Sequence, residues 1–172
     1  MGEDHAFPAL IQAKIDSAGL PFQVVNAGVS GETSAGGLRR IDWMLQRPVD
    51  VLIVELGAND GLRGQPVDAM RENISGLIER ARTRYPDIAL VLLGMEAPPN
   101  LGPDYRSAFR DVYRDLAREY DADLVPFLLD GVAAIPRFNL EDGIHPNIEG
   151  QRIVARNVWE VLEPVLNERK RE

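Results

Sequence analysis

The sequence predicts a three-layer α/β/α fold, a parallel sheet covered by helices on both faces, and three observations carry that prediction. Residues 49–56 (VDVLIVEL) and 88–93 (IALVLL) are short, almost wholly apolar runs of the kind that form strands buried on both faces. Around them lie segments whose apolar residues recur at helical spacing. The two patterns alternate from end to end with no internal repeat and no low-complexity linker, which implies parallel strands joined by crossover helices.

Taken in order, Phe7, Leu10, Ile11, Ile15 and Ala18 predict a first helix, with Pro8 near its start and Gly19 just past its end. Residues 22–26 (FQVVN) are short and rich in β-branched side chains and predict a strand buried on both faces. Leu38, Ile41 and Leu45 mark an amphipathic helix before the 49–56 strand. Val67, Met70, Ile74, Leu77 and Ile78 mark another before the 88–93 strand. Tyr105, Phe109, Val112 and Leu116 predict a further helix, residues 123–126 (DLVP) a short strand, and residues 148–166 a closing helix bearing Ile153, Val154, Val158, Val161 and Leu162. In a parallel sheet of this kind chemistry belongs on the loops that leave the carboxyl ends of the strands.

The chain has 172 residues, 45% of them hydrophobic, which fits one domain spanning residues 1–172. Asp and Glu total 27 against 19 Lys and Arg, and the net charge of -8 opposes binding to nucleic acid or anionic lipid. There is no run of 18 apolar residues to anchor the chain stably in a membrane. With no cysteine, any nucleophile is a hydroxyl, a carboxylate or an activated water.

Three loops carry chemical signals. Residues 26–37 (NAGVSGETSAGG) hold four glycines that let backbone N–H groups approach a ligand, although a tight turn capped by Thr33 or Ser34 at the next helix start explains them equally well. The lysine of a phosphate loop is missing, and Gly28-Val29-Ser30-Gly31-Glu32 only approximates a GxSxG elbow because Glu32 replaces its last glycine, so Ser30 is a weak candidate nucleophile. In residues 57–61 (GANDG), Asn59 projects from a glycine-flanked turn at a strand's carboxyl end, where it either donates to a developing oxyanion or, with Asp60, makes an Asx turn. In residues 142–147 (DGIHPN), Asp142 precedes His145 by three residues, a spacing that lets the carboxylate hold one imidazole nitrogen and leaves the other free to take a proton. His5, the other histidine, lacks such a setting.

In this order and at this spacing the three segments resemble the SGNH (GDSL-type) hydrolases, in particular the bacterial arylesterase, lysophospholipase and acyl-CoA thioesterase branch. NAGVSGETSAGG is similar to that family's second block, ELGANDGLRG to its third and DGIHPN to its fifth, while AFPALIQAKI, PPNLGPDY and LVPFLLDGV resemble other segments of the branch. The resemblance implies a flavodoxin-like sheet and a serine ester hydrolase working through an acyl-enzyme, with no metal or organic cofactor. Gly31 matches the second-block glycine whose N–H binds the oxyanion, and Asn59 the asparagine that donates beside it. His145 matches the general base and Asp142 its orienting partner. The implied partner is a small-molecule ester or thioester, bound by a monomer.

Two departures follow from the resemblance. The family's nucleophilic serine lies on a GDSL-like turn after a first strand, upstream of the helix that AFPALIQAKI resembles, and Met1 falls only a few residues before that helix. The expectation is an N-terminally truncated domain without its nucleophile, inactive alone. In the family's 2-1-3-4-5 strand order the loss would open the middle of the sheet, removing roughly 10 kcal/mol of aliphatic burial and exposing strand edges. Glu96 and Leu101 also replace a basic and an aromatic residue in the loop that lines the family's acyl pocket. Three rival readings remain: a noncatalytic module binding a small anion or sugar on the 28–37 loop, a metal hydrolase using Asp60, Asp142 and His145, and a pseudoenzyme.

Overall fold

The computed structural model describes residues 3–170. In chain order its helices and strands are α1 Phe7–Ser17, α2 Ser34–Met44, β1 Val51–Val54, α3 Ala58–Leu62, α4 Val67–Arg84, β2 Ala89–Leu93, α5 Pro103–Glu119, β3 Asp123–Val125 and α6 Ile148–Arg169. They divide between two compact units, one of residues 27–126 and one of residues up to 26 together with those from 127 onward.

The 27–126 unit contains the parallel sheet, in the order β1-β2-β3, with Val51 opposite Ala89 and Val91 opposite Asp123. This is the expected α/β class. Leu90, Val91, Leu92 and Leu93 of β2 are all buried, so both faces of the central strand are covered, as its unbroken apolar run predicts. In β1 only Val54 is buried, a correction to the expectation of burial on both faces. Its physical reason is position: β1 pairs with β2 on one side and ends the sheet of described strands on the other. Ile41 of α2, Ile74 and Ile78 of α4, and Phe109 and Leu116 of α5 complete the core, each almost wholly excluded from solvent. The helix starts follow from sequence: the Thr33 hydroxyl accepts from the Gly36 N–H to cap α2, and Pro103 opens α5 without forfeiting a hydrogen bond.

In the second unit α1 packs against α6, with Ile11 and Ile15 buried on α1 and Val154, Val158 and Leu162 on α6. Gly19 follows α1 at φ +64°, the left-handed conformation that ends many helices. Residues 22–26 are not a strand, against expectation. They join no ladder, and Val25 is 80% exposed. The Gln12 side chain of α1 takes the place of a neighbouring strand, accepting from the Val24 N–H at 2.6 Å and donating to the Phe22 carbonyl at 3.2 Å.

Candidate active site

The segment from Asp142 to Asn147 is a tight turn held to the start of α6. Gly143 adopts φ +69°, and the chain reverses so that Asp142 Oδ1 accepts from the backbone N–H groups of both Ile144 and His145 at 2.9 Å. Asp142 Oδ2 lies 2.7 Å from His145 Nδ1. The His145 backbone N–H, then its ring, then the Ile144 N–H all favour the ionised carboxylate and pull the Asp142 pKa down to about 2. An ionised carboxylate only accepts, so His145 Nδ1 carries the hydrogen, and in the neutral imidazole Nε2 presents a lone pair. The His145 side chain is 67% exposed, so that lone pair is accessible.

Several bonds hold the turn in place. The Leu140 N–H donates to the His145 carbonyl at 2.8 Å, and Asn139 bridges to Pro146. Asn147 caps α6 by accepting from the Gly150 N–H at 3.0 Å, while its amide donates to the Arg137 carbonyl. Gly150 is required there, since a Cβ would stand 2.2 Å from the Phe138 carbonyl oxygen.

In the 27–126 unit, Gly31 sits in an exposed loop at φ +77°, and its carbonyl accepts from Arg63 Nη2 at 2.9 Å. Asn59 lies in the first turn of α3. The expected glycine-flanked turn is therefore a short helix, whose N-cap Gly57 adopts φ +104°. A Cβ on Gly57 would meet the Tyr113 hydroxyl at 2.2 Å, and that hydroxyl donates to the Leu56 carbonyl at 2.8 Å. Among the described residues neither the Gly31 N–H nor the Asn59 side-chain amide has a hydrogen-bond partner. Both are free donors.

Asp60, next to Asn59, has a role the sequence did not reveal. Only 3% exposed, it accepts from the Ser34 N–H at 2.8 Å and the Ser34 hydroxyl at 2.6 Å, tying α3 to the first residue of α2. Asn73 donates to the same hydroxyl at 3.1 Å. The carboxylate also complements the positive end of the α2 dipole. Both oxygens of the proposed metal ligand are thus bound by protein donors.

Three of the five serines are likewise engaged. Ser34 bonds Asp60, Ser75 bonds the Tyr120 hydroxyl at 2.5 Å, and Ser107 donates to Asp111 at 3.5 Å. Ser17 ends α1, and Ser30 is exposed in the 26–37 loop, where Glu32 is paired with Arg40.

Residues 2–153 match the model of the GDSL-like Lipase/Acylhydrolase family. The chain is 41% identical to Esterase TesA of Pseudomonas aeruginosa over 159 residues, 92% of this chain and 78% of that protein. It is 34% identical to the thioesterase 1/protease 1/lysophospholipase L1 of Escherichia coli K12 over 168 residues, 97% of this chain and 78% of that protein. Among solved structures, the psychrotrophic esterase EstA from Pseudoalteromonas sp., inhibited by monoethylphosphonate, superposes with a TM-score of 0.90 at 31% identity, covering 97% of this chain and 91% of that one. The family match takes in Gly31, Asn59, Asp142 and His145, and the chain belongs to the GDSL-like lipase/acylhydrolase (SGNH) family.

Proposed function

We propose that the protein is a serine ester hydrolase of the esterase, lysophospholipase or thioesterase kind. A serine hydroxyl attacks the acyl carbonyl as His145 Nε2 takes its proton. The carbonyl oxygen becomes an oxyanion that accepts from the Gly31 N–H and the Asn59 amide. Collapse expels the alcohol or thiol, which receives the proton from His145, and water then hydrolyses the acyl-enzyme by the same steps. Asp142 stays ionised and holds the imidazole in one tautomer. The observation that carries this reading is the 2.7 Å bond from Asp142 to His145 Nδ1, with the ring's other nitrogen free. Leu140, Ile144 and Ile148, each at least 42% exposed around the turn, give His145 an apolar surround suited to an acyl or aryl group.

The reading extends to the nucleophile: none of the chain's five serines fills that role, and these 172 residues alone hydrolyse no ester. What supports it is that Ser34, Ser75 and Ser107 are already hydrogen-bonded, that Ser17 ends α1, and that Ser30 lies in a loop that only approximates a GxSxG elbow. The test is hydrolysis of p-nitrophenyl butyrate by the 172-residue chain and by the same chain preceded by a family first block with its Gly-Asp-Ser turn. Activity is expected only in the second, and His145→Ala in that protein lowers the rate by about 10³-fold or more. A silent extended protein would instead favour a binding module. Hydrolysis by the 172-residue chain itself would overturn the assignment of the nucleophile to a separate first block, and its loss in Ser30→Ala or Ser17→Ala would name the serine that carries it.

A further inference from the structure

The Gly31–Glu32 peptide is pinned at both ends. Its carbonyl accepts from Arg63 Nη2 at 2.9 Å, and its N–H, that of Glu32, donates to the Val29 carbonyl at 3.1 Å. With that plane fixed, the two backbone dihedrals of Gly31, φ being +77°, set the direction of the preceding peptide, whose N–H is the free donor. Arg63 and Asn59 belong to one turn of chain, since the Arg63 N–H closes α3 on the Asn59 carbonyl at 3.2 Å. The residue that grips the Gly31 carbonyl and the residue that presents the second free donor are therefore parts of one short helix. Buried Asp60 anchors that helix to Ser34, three residues beyond Gly31. The guanidinium also brings a positive charge beside the loop, with Nη2 3.8 Å from where a Gly31 Cβ would stand.

From this arrangement we infer that Arg63 is a positioning residue for Gly31: it locks the Gly31–Glu32 peptide so that the Gly31 N–H keeps a fixed direction, and it couples that amide to the helix presenting Asn59. The inference rests on the reading of Gly31 as an oxyanion donor for its catalytic meaning. The geometry it asserts is independent of turnover.

The experiment uses the 15N-labelled chain and its Arg63→Met and Arg63→Lys variants, with two readouts at the peptide in question: the amide shift of Gly31 and the solvent-exchange rate of the Glu32 amide. The Ser34 amide, held by Asp60, reports whether the fold persists. In Arg63→Met the Gly31 resonance moves and Glu32 exchange rises about fivefold, as loss of one modest hydrogen bond requires, while Ser34 is unchanged. Arg63→Lys, which keeps the charge and a donor, lies between. An unmoved Gly31 resonance and unaltered Glu32 exchange in Arg63→Met, with Ser34 still protected, overturn the inference. Should Arg63→Met disturb Ser34 as well, Arg63→Gln, which shortens the side chain and removes its charge, is read by the same signals. Failure of ester hydrolysis would count against the function and not against this positioning.

Discussion

Ser34 and Asp60 lie 26 residues apart in sequence and are joined by two hydrogen bonds from the first residue of α2 to a carboxylate in α3. The serine is fully buried and the aspartate almost so. A buried carboxylate stabilises only when its acceptors are filled, and here a backbone N–H and a hydroxyl fill them. Asp60→Ala therefore strands the Ser34 donors in the interior and costs about 2–4 kcal/mol, measured by urea denaturation. Ser34→Ala leaves the backbone bond in place and costs less, about 1–2 kcal/mol. Equal losses for the two would contradict this division.

The Asp142 carboxyl titrates from an ordinary 3.8 down to about 2 because the folded turn favours its charged form. For a pKa depressed on folding, the stabilisation is fully present above the unfolded value and disappears as pH falls through the folded one. The turn thus loosens between about pH 4 and pH 2, and carbon NMR of the carboxyl should show a midpoint near 2. In His145→Ala the midpoint rises only part of the way to normal, because the backbone N–H groups of residues 144 and 145 still donate. A full return would mean that the ring alone sets it.

Gly57 and Gly150 each occupy space that no side chain fits. Gly57→Ala adds strain at φ +104° to a clash with the Tyr113 hydroxyl, and costs about 3 kcal/mol or more of stability in chemical denaturation. Gly150→Ala meets the Phe138 backbone oxygen, so its damage concentrates at the turn bearing His145. There the Asn147 N–H, which donates to that same carbonyl at 2.9 Å, should lose its protection from hydrogen exchange.

Val25 is 80% exposed in a segment without a ladder partner. Exposed β-branched residues on unpaired extended chain favour pairing between molecules. Light scattering at micromolar concentration should grow with time in the native sequence and fall in Val25→Lys, a change too exposed to disturb the core. Equal scattering by both would place the association elsewhere.

Much of the fold is written locally. Apolar spacing placed α1, α2, α4, α5 and α6 close to their observed spans, and the β2 run announced a strand covered on both faces, because each pattern is complete within one element. The Asp142 and His145 pair was legible for the same reason: donor, acceptor and the turning Gly143 all lie within four residues. What sequence could not decide depends on partners far along the chain. Residues 22–26 have strand composition, yet strand formation requires a neighbour, and here Gln12 bonds only the Phe22 carbonyl and the Val24 N–H. The bond of Asp60 to Ser34 and the grip of Arg63 on Gly31 exist only because tertiary packing brings together groups 26 and 32 residues apart. Local pattern states what each segment prefers, and only packing determines which distant polar group answers it.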